Sequence, residues 1–247
     1  MANIKNKLYP IITLVAAVLL WQVIVDVKNV PAYIVPSPTS IVKTLISDFK
    51  VIMQNTKVTI YESIVGFVIS IILSFILAVL MDSFKIVRKS LYPILVISQT
   101  IPTIAIAPLF IIWFGFGPMP KIIVVIITCF FPIVISLIDG FEKVDRDYIN
   151  LFRTMKASRL QTFYHLKLPY AMVNLFSGLK IAATYMVMAS VIGEWLGGDS
   201  GIGVYMVRAK SAYALDKVFA AIIVIVLISI IIIYIIDFIS KRLIHWK

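Results

Sequence analysis

Six long apolar runs divide this chain, and each approaches the length that a helix needs to cross a membrane. About 20 helical residues span the hydrocarbon core of a bilayer. The runs cover residues 8–25, 58–81, 91–114, 121–138, 175–196 and 218–240. Lipid offers the backbone no hydrogen-bond partner, so each run is predicted to be helical, and the alternation of a membrane barrel is absent. We therefore predict an all-α polytopic membrane protein with six transmembrane helices in a single domain, residues 1–247.

The amino-acid composition is that of an integral membrane protein. Hydrophobic residues make up 61% of the chain, charged residues 14%, and the mean hydropathy is +1.03, whereas a soluble domain has about 25% charged residues. The first run follows Lys5 and Lys7, as a secretory signal core does, but Asp26 and Lys28 stand where a small-residue cleavage site is expected. It is predicted to be an uncleaved span, with a signal anchor as the alternative. Cys129 is the single cysteine, so no disulfide forms within the chain.

The net charge of +11 is distributed unevenly over the loops, which predicts the orientation of the chain. With six spans, both termini share one side with the loop 82–90 and the polar stretch 146–169. That side carries fourteen cations: Lys5, Lys7, Lys85, Arg88, Lys89, Lys143, Arg146, Arg153, Lys156, Arg159, Lys167, Lys241, Arg242 and Lys247. The opposite loops carry eight: Lys28, Lys43, Lys50, Lys57, Lys121, Arg208, Lys210 and Lys217. Cytoplasmic loops are the richer in these residues. Both termini are therefore predicted to be cytoplasmic, and membrane lipid rather than nucleic acid is the expected neighbour of this charge.

The polar stretch 146–169, between the fourth and fifth runs, has the pattern of a docking surface. Apolar residues at i, i+3, i+4, i+7 spacing predict one short amphipathic helix over 146–155 and a second over 159–168. The first stripe is Tyr148, Leu151, Phe152 and Met155, and the second is Leu160, Phe163 and Tyr164. Asp145 is expected to cap the first helix, and Ser158 with Gln161 matches a capping box for the second. Lys156 and Ala157 are expected to form the turn between them.

The sequence lacks the residue patterns of an enzyme active site. His165 and His245 have no companions at metal-ligand spacing, so no zinc site is predicted. The glycine-rich start of the loop 197–217 lacks the spacing of a phosphate-binding loop and is expected to be a turn outside the membrane. Several serines within the runs lack a nearby base and are interpreted as helix-packing or backbone-bonding hydroxyls: Ser70, Ser74 and Ser98. We predict a chain with no catalytic site, metal or cofactor of its own.

Residues of the third run are candidates for a transport pathway. Pro93, Pro102 and Pro108 predict a kinked helix, which suits gating, although prolines also merely shape helix bundles. Gln99 and Thr100 form a polar pair at membrane depth, where such a pair is expected to face a cavity or another helix.

Three acidic residues lie near the ends of the runs. Glu62, Glu194 and Asp237 are predicted to be interfacial or ion-paired rather than proton relays. Glu194 is the strongest pathway candidate among them, because Gly193 and Trp195 flank it at the end of the fifth run. After the first run, residues 37–46 are predicted to form a capped amphipathic helix that packs on the outer surface or against a neighbouring helix.

The segment Asp145–Ala182 resembles the cytoplasmic signature loop of the permeases of binding-protein-dependent ABC importers. The resemblance is carried by Ala157-Ser158-Arg159-x-Gln161-x-Phe163, Leu168-Pro169 and Ser177-Gly178-Leu179-Lys180-Ile181-Ala182. Further stretches resemble the branch for nitrate, sulfonate, taurine and thiamine precursors: Pro36-Ser37-Pro38, Gln99-Thr100-Ile101-Pro102, Ala107-Pro108-Leu109, Trp113-Phe114-Gly115 and Phe131-Pro132. Together they cover nearly the whole chain after the first run.

This resemblance implies a type I ABC importer permease whose stretch 146–169 couples it to a separate cytoplasmic ATPase subunit, which binds the ATP and magnesium. It further implies a second permease, with a homodimer expected, an extracytoplasmic substrate-binding protein, and a place in the bacterial cytoplasmic membrane. The residues expected to contact the ATPase are Tyr148, Leu151, Phe152, Arg153, Met155, Lys156, Ala157, Ser158, Arg159 and Phe163. The pathway or gating candidates are Gln99, Thr100, Pro102, Pro108 and Glu194.

Two features of the sequence bear on the details. Lys156 stands where the family usually has glycine, and if that turn needs a positive φ, lysine costs about 1 kcal/mol relative to glycine. Glu194-Trp195-Leu196-Gly197-Gly198, followed by Val204-Tyr205-Met206, looks more like permeases for thiamine-precursor pyrimidines or related ring compounds. Nitrate, sulfonate or taurine is the alternative substrate class. A stand-alone channel or membrane enzyme is the remote alternative.

Overall fold

A computed structural model of the protein describes the backbone of residues 4–244 and the side chains of residues 8–244. The sequence expectations for Lys5, Lys7, His245 and Lys247 therefore lie outside the described side chains. In chain order the helices are α1 (Ile4–Val27), α2 (Pro38–Ser47), α3 (Phe49–Ser83), α4 (Lys85–Ser98), α5 (Thr103–Phe114), α6 (Pro118–Glu142), α7 (Arg146–Thr154), α8 (Arg159–Thr162), a π-helical turn (Phe163–Lys167), α9 (Leu168–Gly197), α10 (Ile202–Ser211) and α11 (Leu215–Leu243). The prediction of an all-α polytopic membrane protein is confirmed.

Five stretches of the described chain are long and apolar enough to cross a membrane, and a bent helix pair provides a sixth. The five are Leu8–Val27, Phe49–Ser83, Pro118–Glu142, Arg159–Gly197 and Leu215–Leu243. The bent pair is α4 with α5. All six predicted runs lie within these stretches. The second span, Phe49–Ser83, and the fifth, Arg159–Gly197, extend well beyond their apolar runs. We call the end of the bundle that carries α7 the α7 end, and the opposite end, which carries α10, the α10 end.

Helix α6 is the centre of the bundle and packs between α3 and α9. Small residues allow the close approach: a Cβ atom on Gly66 of α3 would lie 2.6 Å from the Val125 side chain, and one on Gly178 of α9 would lie 2.7 Å from Ser136. The hydroxyl groups of Ser70 and Ser74 donate to backbone carbonyls of α6, each at 3.0 Å. Small residues and serine hydroxyls are the usual means of helix association where lipid removes the hydrophobic driving force. The interpretation of these two serines as packing hydroxyls is confirmed.

The third predicted span is broken rather than kinked. Helices α4 and α5 meet at an angle of 101° across residues 99–102. Pro102 precedes α5, has no N–H to donate, and disfavours helical geometry in Ile101 before it. A tight turn fills the gap, in which the N–H groups of Thr100 and Ile101 donate to the carbonyls of Ile97 and Ser98. Pro93 and Pro108 lie inside α4 and α5, so one of the three prolines marks the break.

The second amphipathic helix predicted over 159–168 is not a separate helix. Helix α8, the π-helical turn and α9 follow one another directly and form one stretch of 39 residues, Arg159–Gly197. Pro169 explains the wide turn, since a proline cannot donate an α-helical hydrogen bond and clashes with the carbonyl four residues before it. The N–H of Leu168 instead donates to the carbonyl of Phe163, five residues back. The polar residues after Ser158 therefore belong to the base of the fifth span.

The α10 end contains more structure than the sequence predicted. The loop 197–217, expected to be a simple turn, contains helix α10, whose Ile202, Tyr205 and Met206 are buried in a second apolar cluster with residues of α2, α3, α9 and α11. Helix α2 forms as predicted, and the Ser37 hydroxyl accepts the Ser40 N–H at its start, at 3.2 Å. Glycines 197, 198, 201 and 203 do not favour a helix. The sequence signal for α10 lay in the apolar residues that follow them.

Candidate functional site

Helix α7 presents an exposed apolar surface at its end of the bundle. The Asp145 carboxylate accepts the Asp147 N–H at 2.9 Å and caps the helix, as predicted. Tyr148, Leu151 and Met155 are 54%, 53% and 71% exposed, although they follow one another at helical spacing on one face. Large apolar side chains exposed in this way outside a membrane mark a contact surface rather than a core.

Two aromatic residues predicted to contact a partner are half-buried, and one of them packs against the bundle. Phe163 is half-buried and lies against Phe141 of α6, with 5.6 Å between the ring centroids. Phe152 is half-buried at the end of α7. The exposed positions of the second stripe are Leu160 and Tyr164, at 72% and 64% exposure. The helical spacing predicted which residues share a face, but it does not identify which face meets the bundle.

The turn after α7 adopts the geometry for which glycine is best suited. Lys156 has a φ of 57°. Its N–H donates to the carbonyl of Arg153, and the N–H of Ala157 donates to the carbonyl of Phe152, each at 3.0 Å. This pair of bonds is the Schellman ending of a helix, whose left-handed residue is Lys156. The positive φ considered from the sequence is present.

A capping box starts the helix that follows. The Gln161 N–H donates to the Ser158 hydroxyl, and the Ser158 N–H donates to the Gln161 side chain at 2.7 Å. Arg153 and Arg159 are exposed on either side of the Lys156 turn. The surface formed by α7 and this turn is therefore apolar at its centre and positively charged at its edge.

Two ion pairs join the spans to one another at the α7 end. Lys167 lies 2.7 Å from the Asp82 carboxylate at the end of α3. Arg88 of α4 pairs with Glu142 at the end of α6. At the α7 end, these two pairs connect the fifth span to α3 and α4 to α6.

The pathway candidates of the third span lie at the break between α4 and α5. Gln99, Thr100 and Pro102 are exposed there, and Pro108 is exposed on α5. The Thr100 hydroxyl donates to the Ile97 carbonyl at 2.7 Å. Irregular backbone at membrane depth occurs where it is covered by protein or lines a water-filled cavity. The break is therefore expected either to be covered by protein or to line a water-filled cavity.

Glu194, predicted to be interfacial or ion-paired, is buried within the bundle. It is 2% exposed, and Glu62, also expected at the interface or in an ion pair, is 1% exposed. The Glu62 carboxylate pairs with Lys121 at 2.8 Å. Asp237 pairs with Lys180 and Lys241, so the ion-paired alternative is the correct one for Glu62 and Asp237.

Lys121 is the residue that the sequence reading missed. It was counted among the outer-loop cations, but it is 2% exposed and belongs to α6. Removing it from the eight leaves seven, which leaves the charge asymmetry between the two sides in place. A lysine at the start of the fourth apolar run, together with a glutamate near the start of the second, was the available signal. Among the described side chains of residues 8–244, no three of His, Cys, Asp or Glu are placed to hold a metal ion.

Comparison with known proteins places the chain among transport proteins. The family described as "Binding-protein-dependent transport system inner membrane component" matches residues 70–245. The chain is 33% identical to the formylaminopyrimidine transport permease ThiX of Halalkalibacterium halodurans, covering 98% of this chain and 97% of the relative. It is 32% identical to a probable ABC transporter permease of Haemophilus influenzae, covering 96% and 97%.

Two further likenesses extend this result. The putative aliphatic sulfonates transport permease SsuC of Bacillus subtilis is 28% identical, covering 92% of this chain and 83% of the relative. A structure of the MetNI methionine ABC transporter in an inward-facing conformation matches with a TM-score of 0.70 and 17% identity, covering 80% of this chain and 98% of that one. At that identity the likeness concerns the fold alone.

Proposed function

The chain belongs to the family of binding-protein-dependent transport system inner membrane components, and from this premise we propose the part that it takes in transport. It is a non-catalytic permease subunit of an ABC importer, as its relatives are. Two copies, in a homodimer, form a pathway across the bacterial cytoplasmic membrane with their termini in the cytoplasm. The excess of cations at the α7 end supports this orientation.

Helix α7 is the surface on which the ATPase subunit docks, and that subunit binds the ATP and magnesium. The observation that supports this most is the exposed stripe of Tyr148, Leu151 and Met155, with Arg153 and Arg159 beside it. An amphipathic helix with an apolar stripe and charged edges binds a groove on a partner. The ion pair between Lys167 and Asp82 then carries the motion of α7 into α3 and α9.

Substitutions on α7 test the docking proposal. Tyr148→Glu and Leu151→Glu place a charge at the centre of the contact, where loss of one anchor costs about 2 kcal/mol or more. We expect ATPase co-purification to fall at least tenfold while gel filtration shows a folded permease. Tyr33→Glu is the matched control, because Tyr33 is similarly exposed, at 57%, but lies at the α10 end. Normal co-purification of both α7 variants would refute the docking surface.

Transport proceeds by alternating access, with substrate passing the break between α4 and α5. Closure of the ATPase pair moves α7, and the two ends of the bundle open in turn. The exposure of Gln99 and Thr100 at the break supports this path, since a polar pair at membrane depth is expected to face a cavity. An extracytoplasmic binding protein delivers the substrate to the α10 end.

The substrate is a small ring compound of the pyrimidine type. Support comes from the similarity to the formylaminopyrimidine permease over nearly the whole chain. The likeness to an aliphatic sulfonates permease supports the second candidate, an inorganic or sulfonate anion.

Uptake into vesicles that contain the permease, the ATPase and the binding protein separates these candidates. We expect ATP-dependent uptake of a labelled formylaminopyrimidine that an excess of taurine or nitrate does not compete away. Competition by the anions would favour the second candidate. Conductance or solute flux through the purified chain alone, without the ATPase, would favour a channel instead.

A further inference from the structure

Three charged side chains from three spans meet at the α10 end, and each is at most 2% exposed. They are Glu62 of α3, Lys121 of α6 and Glu194 of α9. Lys121 donates to the Glu62 carboxylate at 2.8 Å, and the Ser190 hydroxyl donates to the other oxygen of Glu62 at 3.3 Å. Burying an ion in a membrane bundle costs several kcal/mol unless it is paired, and such groups usually serve function. A bundle that needed only stability would be better served by apolar side chains here.

The Glu194 carboxylate connects α9 to α10 and α3. It accepts the N–H of Gly203 in the first turn of α10 at 2.5 Å and the hydroxyl of Thr59 at 2.6 Å. The Thr59 oxygen in turn accepts the N–H of Ile202 at 2.9 Å. The positive end of the α10 dipole favours the carboxylate at this place. The glycine-rich turn therefore binds a carboxylate of the same chain.

The glycines of this turn are required by Glu194. A Cβ atom on Gly201 would lie 2.2 Å from the carboxyl carbon of Glu194, and one on Gly203 would lie 2.8 Å from a carboxylate oxygen. Gly201 also has a φ of 117°. The turn between α9 and α10 is thus shaped around the buried acid.

Lys121 lies between a buried carboxylate and an exposed one. Its Nζ atom is 2.8 Å from Glu62 and 3.9 Å from Asp199, whose side chain is 85% exposed. The same Nζ donates to the carbonyl of Ser200 at 3.3 Å. Lys121 therefore bridges α3 and the α9–α10 turn, and it has a second carboxylate within reach if Glu62 moves away.

Two hydroxyl groups beside this cluster have no partner among the described residues. Thr56 and Ser63 lie on the same buried face of α3 as Thr59, and their Oγ1 and Oγ atoms accept and donate no hydrogen bond. An unsatisfied buried hydroxyl is unfavourable, because it has lost its hydrogen bonds to water. The hydroxyl groups on this face of α3 therefore do not all have hydrogen-bond partners in the observed conformation. This favours a second conformation in which water reaches them.

We propose that Lys121 is a positioning residue of the transport cycle: its bond to Glu62 closes the α10 end, and its transfer to Asp199 accompanies opening of that end. The inference rests on the proposed alternating access and adds to it the residues that hold one of the two states. Lys121 keeps a carboxylate partner in both states, so its charge is not left unpaired as α3 separates from the α9–α10 turn.

The reactivity of a buried cysteine reports whether the α10 end is closed. Ser63→Cys in a Cys129→Ser background places one thiol on the buried face of α3, next to Glu62 in sequence. In the permease–ATPase complex without binding protein, we expect a membrane-impermeant maleimide to modify this thiol only when ATP is bound. Modification that is equally slow with and without ATP would overturn the proposed opening at this face.

The variant Glu62→Gln/Lys121→Met removes both charges while nearly conserving volume. We expect the complex to assemble and hydrolyse ATP, the Ser63→Cys thiol to react about tenfold faster without ATP, and uptake to fall by a similar factor. The control is Asp48→Asn/Lys217→Met, which removes another ion pair at the same end, 2.7 Å long and more exposed. If Glu62→Gln/Lys121→Met had the thiol reactivity and uptake of the parent, the proposal would be overturned.

The exposed partner offers a test that does not disturb the buried charges. Asp199→Asn is expected to slow the ATP-dependent modification of Ser63→Cys and to lower uptake severalfold, with yield and basal ATP hydrolysis unchanged. Asp199→Glu is expected to restore both, which a purely packing role would not predict. Parental behaviour of Asp199→Asn would overturn the transfer of Lys121.

The thiol assay separates this inference from the function itself. It uses no substrate, so an incorrect substrate class leaves it intact. If ATP changes thiol reactivity in the parent, but the variants do not behave as expected above, the proposed role of Lys121 is wrong and the importer assignment stands. If ATP changes nothing in the parent complex, alternating access at this face is wrong.

Discussion

Within residues 4–244, three residues other than glycine adopt the left-handed conformation, and all three end a helix. Asn29, Lys156 and Tyr213 have φ values of 47°, 57° and 56°. Each donates its N–H three residues back, and the residue after it donates five residues back, as in a Schellman ending. Asparagine tolerates this conformation well, whereas lysine and tyrosine do not. The chain therefore retains this geometry at Lys156 without the residue that favours it.

Replacing Lys156 with glycine is expected to stabilise the protein. Lys156→Gly removes the left-handed penalty of about 1 kcal/mol. The apparent melting temperature of the purified permease should rise by about 2–4 °C. Tyr213→Gly, at the matched position after α10, should act in the same direction. A lower melting temperature for Lys156→Gly would mean that the lysine side chain makes a contact worth more than the strain.

Helices α2, α10 and α11 are joined by polar contacts that surround the second apolar cluster. The Thr44 hydroxyl of α2 donates to Asp216 at 2.6 Å. Asp48, between α2 and α3, accepts Lys217 of α11 at 2.7 Å and the Tyr205 hydroxyl of α10 at 3.2 Å. The hydrogen bond from Lys217 holds the pKa of Asp48 below its ordinary value of 3.8. These helices therefore form one unit at the α10 end, joined through a carboxylate that must be ionised.

Acid should loosen this unit. Because the folded pKa of Asp48 is depressed, its contribution to stability is present above the ordinary value of 3.8 and is lost as pH falls through the folded pKa. Asp48→Asn should therefore melt below the parent at neutral pH, and the difference should shrink as pH falls below about 4. Melting curves of both proteins over this range provide the measurement. A difference that is constant with pH would show that the ionised form of Asp48 adds nothing.

The bundle as a whole depends on α6, which contacts α3 on one side and α9 on the other. Val125, Cys129, Ile133 and Leu137 of α6 are fully buried. Gly66 and Gly178 allow the backbones of α3 and α9 to approach it. Helix α1, by contrast, is largely exposed, with 6% of its span buried. A disturbance at the contacts of α6 therefore affects the whole molecule, whereas α1 is an addition at its edge.

Adding one methyl group at the contact of α6 and α9 should destabilise the bundle. In Gly178→Ala the new Cβ would lie 2.7 Å from Ser136 and 2.8 Å from the Pro132 carbonyl. Overpacking of this kind costs about 1–3 kcal/mol. Ser177→Ala is the control, because Ser177 is exposed on the same helix. Yield and melting temperature should fall for Gly178→Ala alone, and equal values for the two variants would show that α9 can shift.

The sequence specified the features that depend on local chemistry. Six apolar runs were enough for the all-α membrane fold, because lipid forces each to satisfy its own backbone. The caps at Asp145 and Ser158 depend on neighbours within three residues, and both were predicted correctly. The positive φ at Lys156 was considered because permeases of the family that the chain resembles usually have glycine at this position. The family followed from motifs spread along the chain.

Features that depend on contacts between distant residues were decided only by the tertiary structure. The side of α7 that meets solvent depends on how the spans pack, since helical periodicity does not identify the neighbour of a face. Lys121 looked like a loop cation because a charge at the end of an apolar run normally reaches water. It is buried because Glu62, 59 residues away in the chain, supplies the opposite charge. A buried ion is stable only beside its partner, and that partner is assigned by the fold.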